Sequence, residues 1–306
     1  MKFNKCLVSF SSSRKHCIQF LVLTTISVAR LYAQQEKLAA VIPAVQERIQ
    51  NSGAEVAVAI ESLDGKTSWF LNADQSFHAA STMKIPVMIE LYHQLREGKI
   101  KLEETLVVRN EFRSIVDDSI YQLDSNSDSE PEIYKAEGQK RTMAQLCELM
   151  ITASSNLATN LLIEKLGTEN IKAAVRSLHA DGMKFLRGVE DGKAYKKGLS
   201  NTTSARGLFI LLQAIALGNA VDKEASSQMV EILKRQKFNE AIPAGLPPNA
   251  VVAHKTGEIT KIHHDAAIVY APRPFVLVIL VRGIEDSKQS AALMADITRL
   301  LYPATQ

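Results

Sequence analysis

Ser81 and Lys84 lie three residues apart in AASTMKIPVMIELYHQL, a stretch whose apolar spacing predicts a helix. Positions i and i+3 of a helix share a face, so the hydroxyl and the amine are predicted to lie side by side. A serine needs a nearby base to act as a nucleophile, and a buried lysine loses its proton more readily than one in water. The pair is therefore either a nucleophile beside its base or a helix start followed by a snorkelling lysine.

Two further stretches carry polar residues of matching chemistry. Ser154-Ser155-Asn156 begins an amphipathic stretch, and Lys255-Thr256-Gly257 lies in VVAHKTGEI, which predicts a strand. In this order, Ser-x-x-Lys, Ser-x-Asn and Lys-Thr-Gly resemble the motif set of the penicillin-interacting serine enzymes, in particular the class A β-lactamases. The resemblance covers about residues 38–302, since the order of helices and strands also fits.

The resemblance implies a catalytic role for Ser81, Lys84 and Ser154, and a substrate-binding role for Asn156. Ser81 is expected to be the acylated nucleophile, and Lys84 the group that manages its proton. Ser154 is expected to pass a proton to the leaving nitrogen, and Asn156 to hold the substrate amide. The implied activity is hydrolysis of the β-lactam amide through an acyl-serine intermediate.

The same resemblance implies a substrate-binding strand. Lys255 and Thr256 are expected to bind the substrate carboxylate, and Gly257 to leave room for substrate along the strand edge. The backbone N–H groups of Ser81 and Glu258 are expected to form an oxyanion hole. The substrate is a β-lactam or a peptidoglycan-like peptide, and neither a metal nor an organic cofactor is implied.

Hydrolysis of the acyl-enzyme needs a carboxylate that activates water. Glu190, in RGVEDGKAY, matches that group by position and loop setting, with the adjacent Asp191 as the alternative. Ala194 stands where the family usually has an asparagine that helps to hold the water.

Three other departures from the family pattern concern the residues around this loop. Gly188 and Asn201 replace the arginine and aspartate that normally close its neck, and Ser155 replaces the usual aspartate of Ser-Asp-Asn. The loss of both neck partners together strands no charge, so the fold is expected to persist. How well the loop positions water, and hence how fast the enzyme turns over, stays open.

Two rival functions remain open. A cell-wall DD-peptidase, or another amidase or esterase, fits the same motifs, and Glu190 discriminates because a peptidase does not depend on it for its donor reaction. A non-catalytic β-lactam sensor is a rival of another class, since it acylates once and persists.

Composition excludes several other classes of protein. Residues 1–33 have the order of a signal peptide, with basic residues before an apolar run, although an uncleaved anchor is an alternative. They carry five of the 36 basic and none of the 33 acidic side chains, which leaves 31 against 33, or about −2. We therefore expect an exported, periplasmic or secreted protein, monomeric by default, with no nucleic-acid partner and no stable membrane insertion after cleavage. Cys147 alone remains beyond the signal, so no internal disulfide forms.

The order of predicted elements indicates an α+β fold. A helix over 35–51, a hairpin around Asp64-Gly65, a helical block, three strands and a final helix follow one another. The five strands are expected to form one antiparallel sheet with flanking terminal helices, in a lobe of residues 34–80 and 241–306. Residues 81–240 form an all-helical lobe within the same single catalytic domain, 34–306, and a cleft between the lobes is the expected site.

Two polar segments lie outside these motifs. The acidic segment DDSIYQLDSNSDSEPEIYKAEG is interpreted as a solvated surface loop. His263-His264-Asp265 could indicate a metal, but neighbouring strand residues point to opposite faces, so His264 and Asp265 are expected to support the strand beside the site.

Overall fold

The computed structural model describes residues 35–306, and the predicted signal peptide, residues 1–33, lies outside the described residues. Its helices are α1 (residues 35–52), α2 (Lys84–Arg96), α3 (Met143–Thr152), α4 (Asn156–Leu166), α5 (Thr168–Ser177), α6 (Gly192–Lys196), α7 (Ala205–Ala216), α8 (Lys223–Leu233) and α9 (Ser287–Thr305). Its strands are β1 (Glu55–Ser62), β2 (Ser68–Leu71), β3 (Phe77–His78), β4 (Thr105–Val107), β5 (Phe112–Arg113), β6 (Ile120–Tyr121), β7 (Lys140–Thr142), β8 (Thr202–Thr203), β9 (Val251–Ile259), β10 (Ile262–Tyr270) and β11 (Phe275–Arg282).

Five strands form one antiparallel sheet in the order β2-β1-β11-β10-β9. The predicted α+β fold is confirmed, and the strand predicted from VVAHKTGEI has the bounds of β9. The hairpin between β1 and β2 turns at Gly65, whose φ of 69° is a conformation that glycine adopts without strain. Because β9 is an edge strand, one side of its backbone is free to receive a ligand.

The sheet separates two hydrophobic cores, and β1 shows how its side chains alternate between them. Val56, Val58 and Ile60 pack with the terminal helices α1 and α9, while Ala57 and Ala59 face the core that contains α2. Helix α2 is enclosed over most of its length, as its apolar sequence predicts.

The helical block is not entirely helical. Strands β4 and β7 pair within it, as do β5 and β6, and β8 pairs with β3. These strands have only two or three residues, too few for an alternating pattern to be read from the sequence. The lobe boundaries at residues 80 and 241 stay predictions.

Candidate active site

Ser81 lies in a single 3-10 turn, Ala80–Met83, and Lys84 is the first residue of α2 directly after it. The Lys84 amine lies 3.1 Å from the Ser81 hydroxyl, so the predicted neighbours are within hydrogen-bond distance. Ala80 has a φ of 46°, a conformation that costs free energy in a non-glycine residue. The surrounding packing therefore holds the turn that presents the Ser81 hydroxyl.

Lys84 is fully buried, which excludes the snorkelling alternative. Besides the Ser81 hydroxyl, its Nζ has as neighbours Ser154 O at 2.5 Å, Ser154 Oγ at 3.2 Å and Asn156 Oδ1 at 2.8 Å. Four oxygens thus surround a nitrogen that has at most three protons to donate. Burial lowers the pKa of Lys84 to about 7, against the opposing effect of the Asp128 and Glu190 carboxylates. A neutral amine that can accept the Ser81 proton is therefore accessible near neutral pH.

Ser154 lies between two lysines, in the turn that joins α3 to α4. Its Oγ is 3.2 Å from Lys84 Nζ and 3.0 Å from Lys255 Nζ. The φ of Ser154 is 58°, a second strained backbone conformation at this site. A hydroxyl held between two amines can accept a proton from one and donate its own elsewhere.

Strand β9 forms the wall opposite α2. Lys255 is fully buried, donates to the carbonyl of Thr256 at 2.8 Å, and has a pKa lowered by burial and by the nearby Lys84. Gly257 lies directly against the Ser81 turn, because a Cβ at this position would be 3.0 Å from the backbone nitrogens of Ser81 and Thr82. A side chain at 257 would force the strand and the turn apart.

Two cavities meet at Ser81, and Glu258 borders both. One has a volume of about 480 Å³ and extends towards Asn156 and Glu190. The other, about 350 Å³, extends along Ser154, Thr256 and Gly257. The cleft therefore gives access to the hydroxyl from both sides, with the predicted carboxylate-binding strand on one side and Glu190 on the other.

Glu190 and Asp191 both border the larger cavity, but only the Glu190 carboxylate bonds to a side chain that also contacts Lys84. The Glu190 carboxylate accepts hydrogen bonds from Asn156 Nδ2 at 2.6 Å and from the Asp124 backbone N–H at 3.3 Å. The backbone φ of Glu190 is 60°. Burial raises the pKa of the Glu190 carboxyl, whereas the hydrogen bond from Asn156 lowers it.

Asp191 is buried in a different environment, where it holds the loop together. Its carboxylate accepts hydrogen bonds from Ser114 Oγ, from the Ile115 N–H and from the Ala194 N–H at the start of α6. Every one of these bonds joins the loop to itself or to a neighbouring segment, so the geometry favours Glu190 over Asp191 as the group that meets water.

The neck of the loop is closed without the ion pair that the family pattern uses. Asn201 Oδ1 accepts hydrogen bonds from the Leu186 and Arg187 N–H groups at 2.7 and 3.0 Å, and its Nδ2 donates to the Arg187 carbonyl at 2.9 Å. The Arg187 guanidinium donates to the carbonyls of Leu199 and Gly188. One neutral amide and one displaced arginine therefore replace the missing pair.

Comparison with known proteins agrees with this geometry. The model of the β-lactamase enzyme family matches residues 37–305. This chain belongs to that family.

A β-lactamase of Streptomyces albus G is 26% identical to this chain over 259 residues, which cover 82% of this chain and 80% of the relative. A β-lactamase of Bacillus licheniformis is 29% identical over 170 residues, 53% of this chain and 55% of the relative, so that match spans about half of each. A solved structure of a mutant class A β-lactamase, the last common ancestor of Gram-negative bacteria, has a TM-score of 0.74 at 26% identity and covers 86% of this chain and 98% of its own.

One buried residue of this β-lactamase family member lies beside the site and was not identified from the sequence. Asp128 lies in the segment interpreted as a solvated loop, and that interpretation is wrong for this residue, which is only 5% exposed. Its carboxylate accepts hydrogen bonds from the backbone N–H groups of Asn156 and Leu157. The one signal in the sequence was indirect: Ser155 lacks the carboxylate that the family places there.

Of the two residues expected to support β9, Asp265 contacts that strand, whereas the His264 side chain contacts β3 and β11. His264, fully buried on β10, lies with Nε2 2.9 Å from the His78 carbonyl, while its Nδ1 accepts from the Val281 N–H. Asp265 Oδ1 lies 2.9 Å from the ring of His254, next to Lys255. Among residues 35–306, no three His, Cys, Asp or Glu side chains group as metal ligands do.

Proposed function

We propose that this chain hydrolyses β-lactams through an acyl-Ser81 intermediate. In the first step the Ser81 Oγ attacks the lactam carbonyl carbon while neutral Lys84 takes the hydroxyl proton. The backbone N–H groups of Ser81 and Glu258 stabilise the resulting oxyanion; removal of one such donor costs roughly 3 to 4 kcal/mol elsewhere. The C–N bond then breaks, and the nitrogen receives a proton from Ser154, which is replaced from Lys84.

Lys255 positions the substrate and does not take the proton of the Ser81 hydroxyl. Lys255 is buried and its pKa is lowered, and a substrate carboxylate that enters the cleft favours its charged form. Thr256, which borders the same cavity as Ser81, donates a hydrogen bond to that carboxylate. Asn156 holds the substrate amide from the other side.

Deacylation uses Glu190. Its carboxylate takes a proton from water, and the resulting hydroxide attacks the ester carbonyl. The C–O bond to Ser81 then breaks, and the serine oxygen takes up the proton that Glu190 removed from water, which returns Glu190 to its charged form. The Asn156 amide orients Glu190 at 2.6 Å, although Ala194 supplies no side chain to hold the water.

The contact that carries the proposal is the 3.1 Å approach of the fully buried Lys84 to the Ser81 hydroxyl. The test is incubation of the pure protein with a chromogenic cephalosporin, followed by intact mass measurement. Turnover that Ser81→Ala abolishes, with covalent mass on Ser81, is the expected result. Neither turnover nor an adduct with any β-lactam would contradict the proposal.

We also propose that the protein acts outside the cytoplasm as a monomer. The basic and apolar order of residues 1–33 supports export. Among the described residues, no helix has both the length and the apolar character needed to cross a bilayer. Cell fractionation with antibody detection tests the location.

A further inference from the structure

A carboxylate from a distant loop binds the start of α4, the helix that carries Asn156. Asp128 Oδ2 lies 2.9 Å from the Asn156 nitrogen and 3.0 Å from the Leu157 nitrogen, and both N–H groups donate to it. Tyr134 donates its hydroxyl to the same oxygen at 3.0 Å, and Ser155 does so at 3.4 Å. The second oxygen, Oδ1, accepts from the Glu130 N–H at 3.0 Å, so both oxygens of the carboxylate are engaged.

Ser155 alone cannot accept hydrogen bonds from all the free N–H groups at the start of α4. Its Oγ accepts from the Ala158 N–H at 3.3 Å, as an N-terminal helix cap does. That leaves the first two N–H groups of α4 without a partner inside the helix, at the end where a negative charge is favourable. The Asp128 carboxylate fills this position from 28 residues earlier in the chain than Asn156.

We propose that Asp128 is a positioning residue for the reaction, one that replaces from another segment the carboxylate missing at position 155. By binding the first two N–H groups of α4, it holds Ser154 O and Asn156 Oδ1 against Lys84 and Asn156 Nδ2 against Glu190. This inference rests on the proposed function. It assigns Asp128 no contact with substrate.

The strained turn explains why this bond matters. Ser154 keeps a φ of 58° and places both its carbonyl and its hydroxyl on Lys84. A turn that costs free energy persists only where neighbouring contacts fix it. Asp128 supplies two such contacts, to the backbone N–H groups of Asn156 and Leu157, which follow Ser154 and Ser155 in the chain.

Charge gives the proposal a second observable. Asp128 and Glu190 are the carboxylates that raise the pKa of buried Lys84 against the effect of burial. Tyr134 stays a hydrogen-bond donor to Asp128, because burial and this carboxylate raise its pKa. Loss of the Asp128 charge therefore leaves the Lys84 amine neutral to lower pH.

Three variants separate positioning from general stability. Asp128→Ala removes all the bonds, whereas Asp128→Asn keeps the shape and one acceptor oxygen but removes the charge. In the third, Asp128→Ala is combined with Ser155→Asp, which returns a carboxylate to the start of α4. Glu132→Gln is the matched control, since Glu132 is an exposed carboxylate in the same segment that pairs with Lys135.

The first readout is kcat/KM for a chromogenic cephalosporin as a function of pH. Asp128→Ala is expected to lower kcat/KM by about 10- to 100-fold, because displaced reacting groups cost factors of this size. Asp128→Asn is expected to shift the acid limb of the profile to lower pH. The double variant is expected to regain most of the lost activity, and Glu132→Gln to match the wild type.

The second readout needs no β-lactam. Lysine labelled at Cε with ¹³C reports the titration of Lys84 by NMR, assigned by its loss in Lys84→Met. The Lys84 midpoint is expected to fall in Asp128→Asn and to stay in Glu132→Gln. Failure of the wild type to react with β-lactams would count against the proposed function and leave this titration to judge Asp128. The role of Asp128 would be overturned if Asp128→Ala kept the kcat/KM of the wild type and the Lys84 midpoint did not move in Asp128→Asn.

Discussion

Glu190 accepts a hydrogen bond at 2.6 Å from the side-chain amide of Asn156. The other end of that amide, Oδ1, lies 2.8 Å from the amine of Lys84. The Glu190 carboxylate only accepts, so the amide nitrogen faces Glu190 and the amide oxygen accepts from Lys84, which keeps N–H groups in both its charged and its neutral form. The proposed base for acylation and the proposed base for deacylation are therefore joined by one side chain, which a shift of either group would move.

Removal of the Glu190 charge should trap the acyl-enzyme. Glu190→Gln keeps the size of the side chain but cannot take a proton from water, so the ester on Ser81 should persist. Acylation should remain measurable, because Lys84 still serves Ser81. Intact mass after mixing with a penicillin should show a long-lived adduct, and an adduct that clears as fast as in the wild type would exclude Glu190 as the base.

The neighbouring carboxylate provides the contrast. Asp191 is buried and accepts from Ser114, Ile115 and Ala194, so Asp191→Asn should chiefly destabilise the loop. We expect a lower midpoint of thermal unfolding and no specific accumulation of acyl-enzyme. Accumulation in Asp191→Asn, with rapid clearance in Glu190→Gln, would reverse the assignment.

Acylation should depend on pH through Lys84. Burial lowers the pKa of this amine to about 7, and only its neutral form accepts the Ser81 proton. The single-turnover acylation rate should therefore rise as pH increases through about 7 and level off above it. Lys84→Met should lower that rate by roughly 10² to 10⁴ and remove the limb. An acylation rate that is constant from acid to alkaline pH would show that Lys84 is not the base.

The sequence predicted the parts of this site that are local. Ser81 and Lys84 are three residues apart at the start of one helix, and Lys255 to Glu258 follow one strand, so periodicity predicts each local element. That the two elements form one site is what the resemblance to the class A β-lactamases implied. The five-stranded sheet followed from alternation and from the turn at Asp64-Gly65.

The remaining contacts could not be predicted, because they join segments by single side chains. Asp128 reaches Asn156 from a loop with no regular period, and nothing in SNSDSEPE distinguishes it from its exposed acidic neighbours. Asn201 replaces an ion pair by hydrogen bonds from its side-chain amide to the backbone. The residue types at positions 188 and 201 do not predict these bonds. Position in the sequence favours Glu190 over the adjacent Asp191, and the different hydrogen-bond partners of the two carboxylates separate them in the structure.

The amide that closes the loop neck should matter for stability. Asn201→Ala leaves the half-buried N–H of Leu186 and the buried N–H of Arg187 without their acceptor and should cost about 2 to 4 kcal/mol of unfolding free energy. Asn201→Asp keeps the acceptor and should cost less. Asn219→Ala, at an exposed position, is the control. Equal urea midpoints for Asn201→Ala and Asn219→Ala would show that the neck is held by other contacts.

His264 should make the fold sensitive to acid. Burial lowers its pKa from 6.5 to about 4, so the folded protein keeps the ring neutral while the unfolded chain takes up a proton below about 6.5. Stability from this group is thus complete above pH 6.5 and falls by about 3 kcal/mol as pH drops to 4. His264→Gln, which can still donate to the His78 carbonyl, should flatten the slope of unfolding free energy over that range, whereas His263→Gln should preserve it. Urea titrations at several pH values measure both slopes, and equal slopes for His264→Gln and the wild type would disprove this contribution.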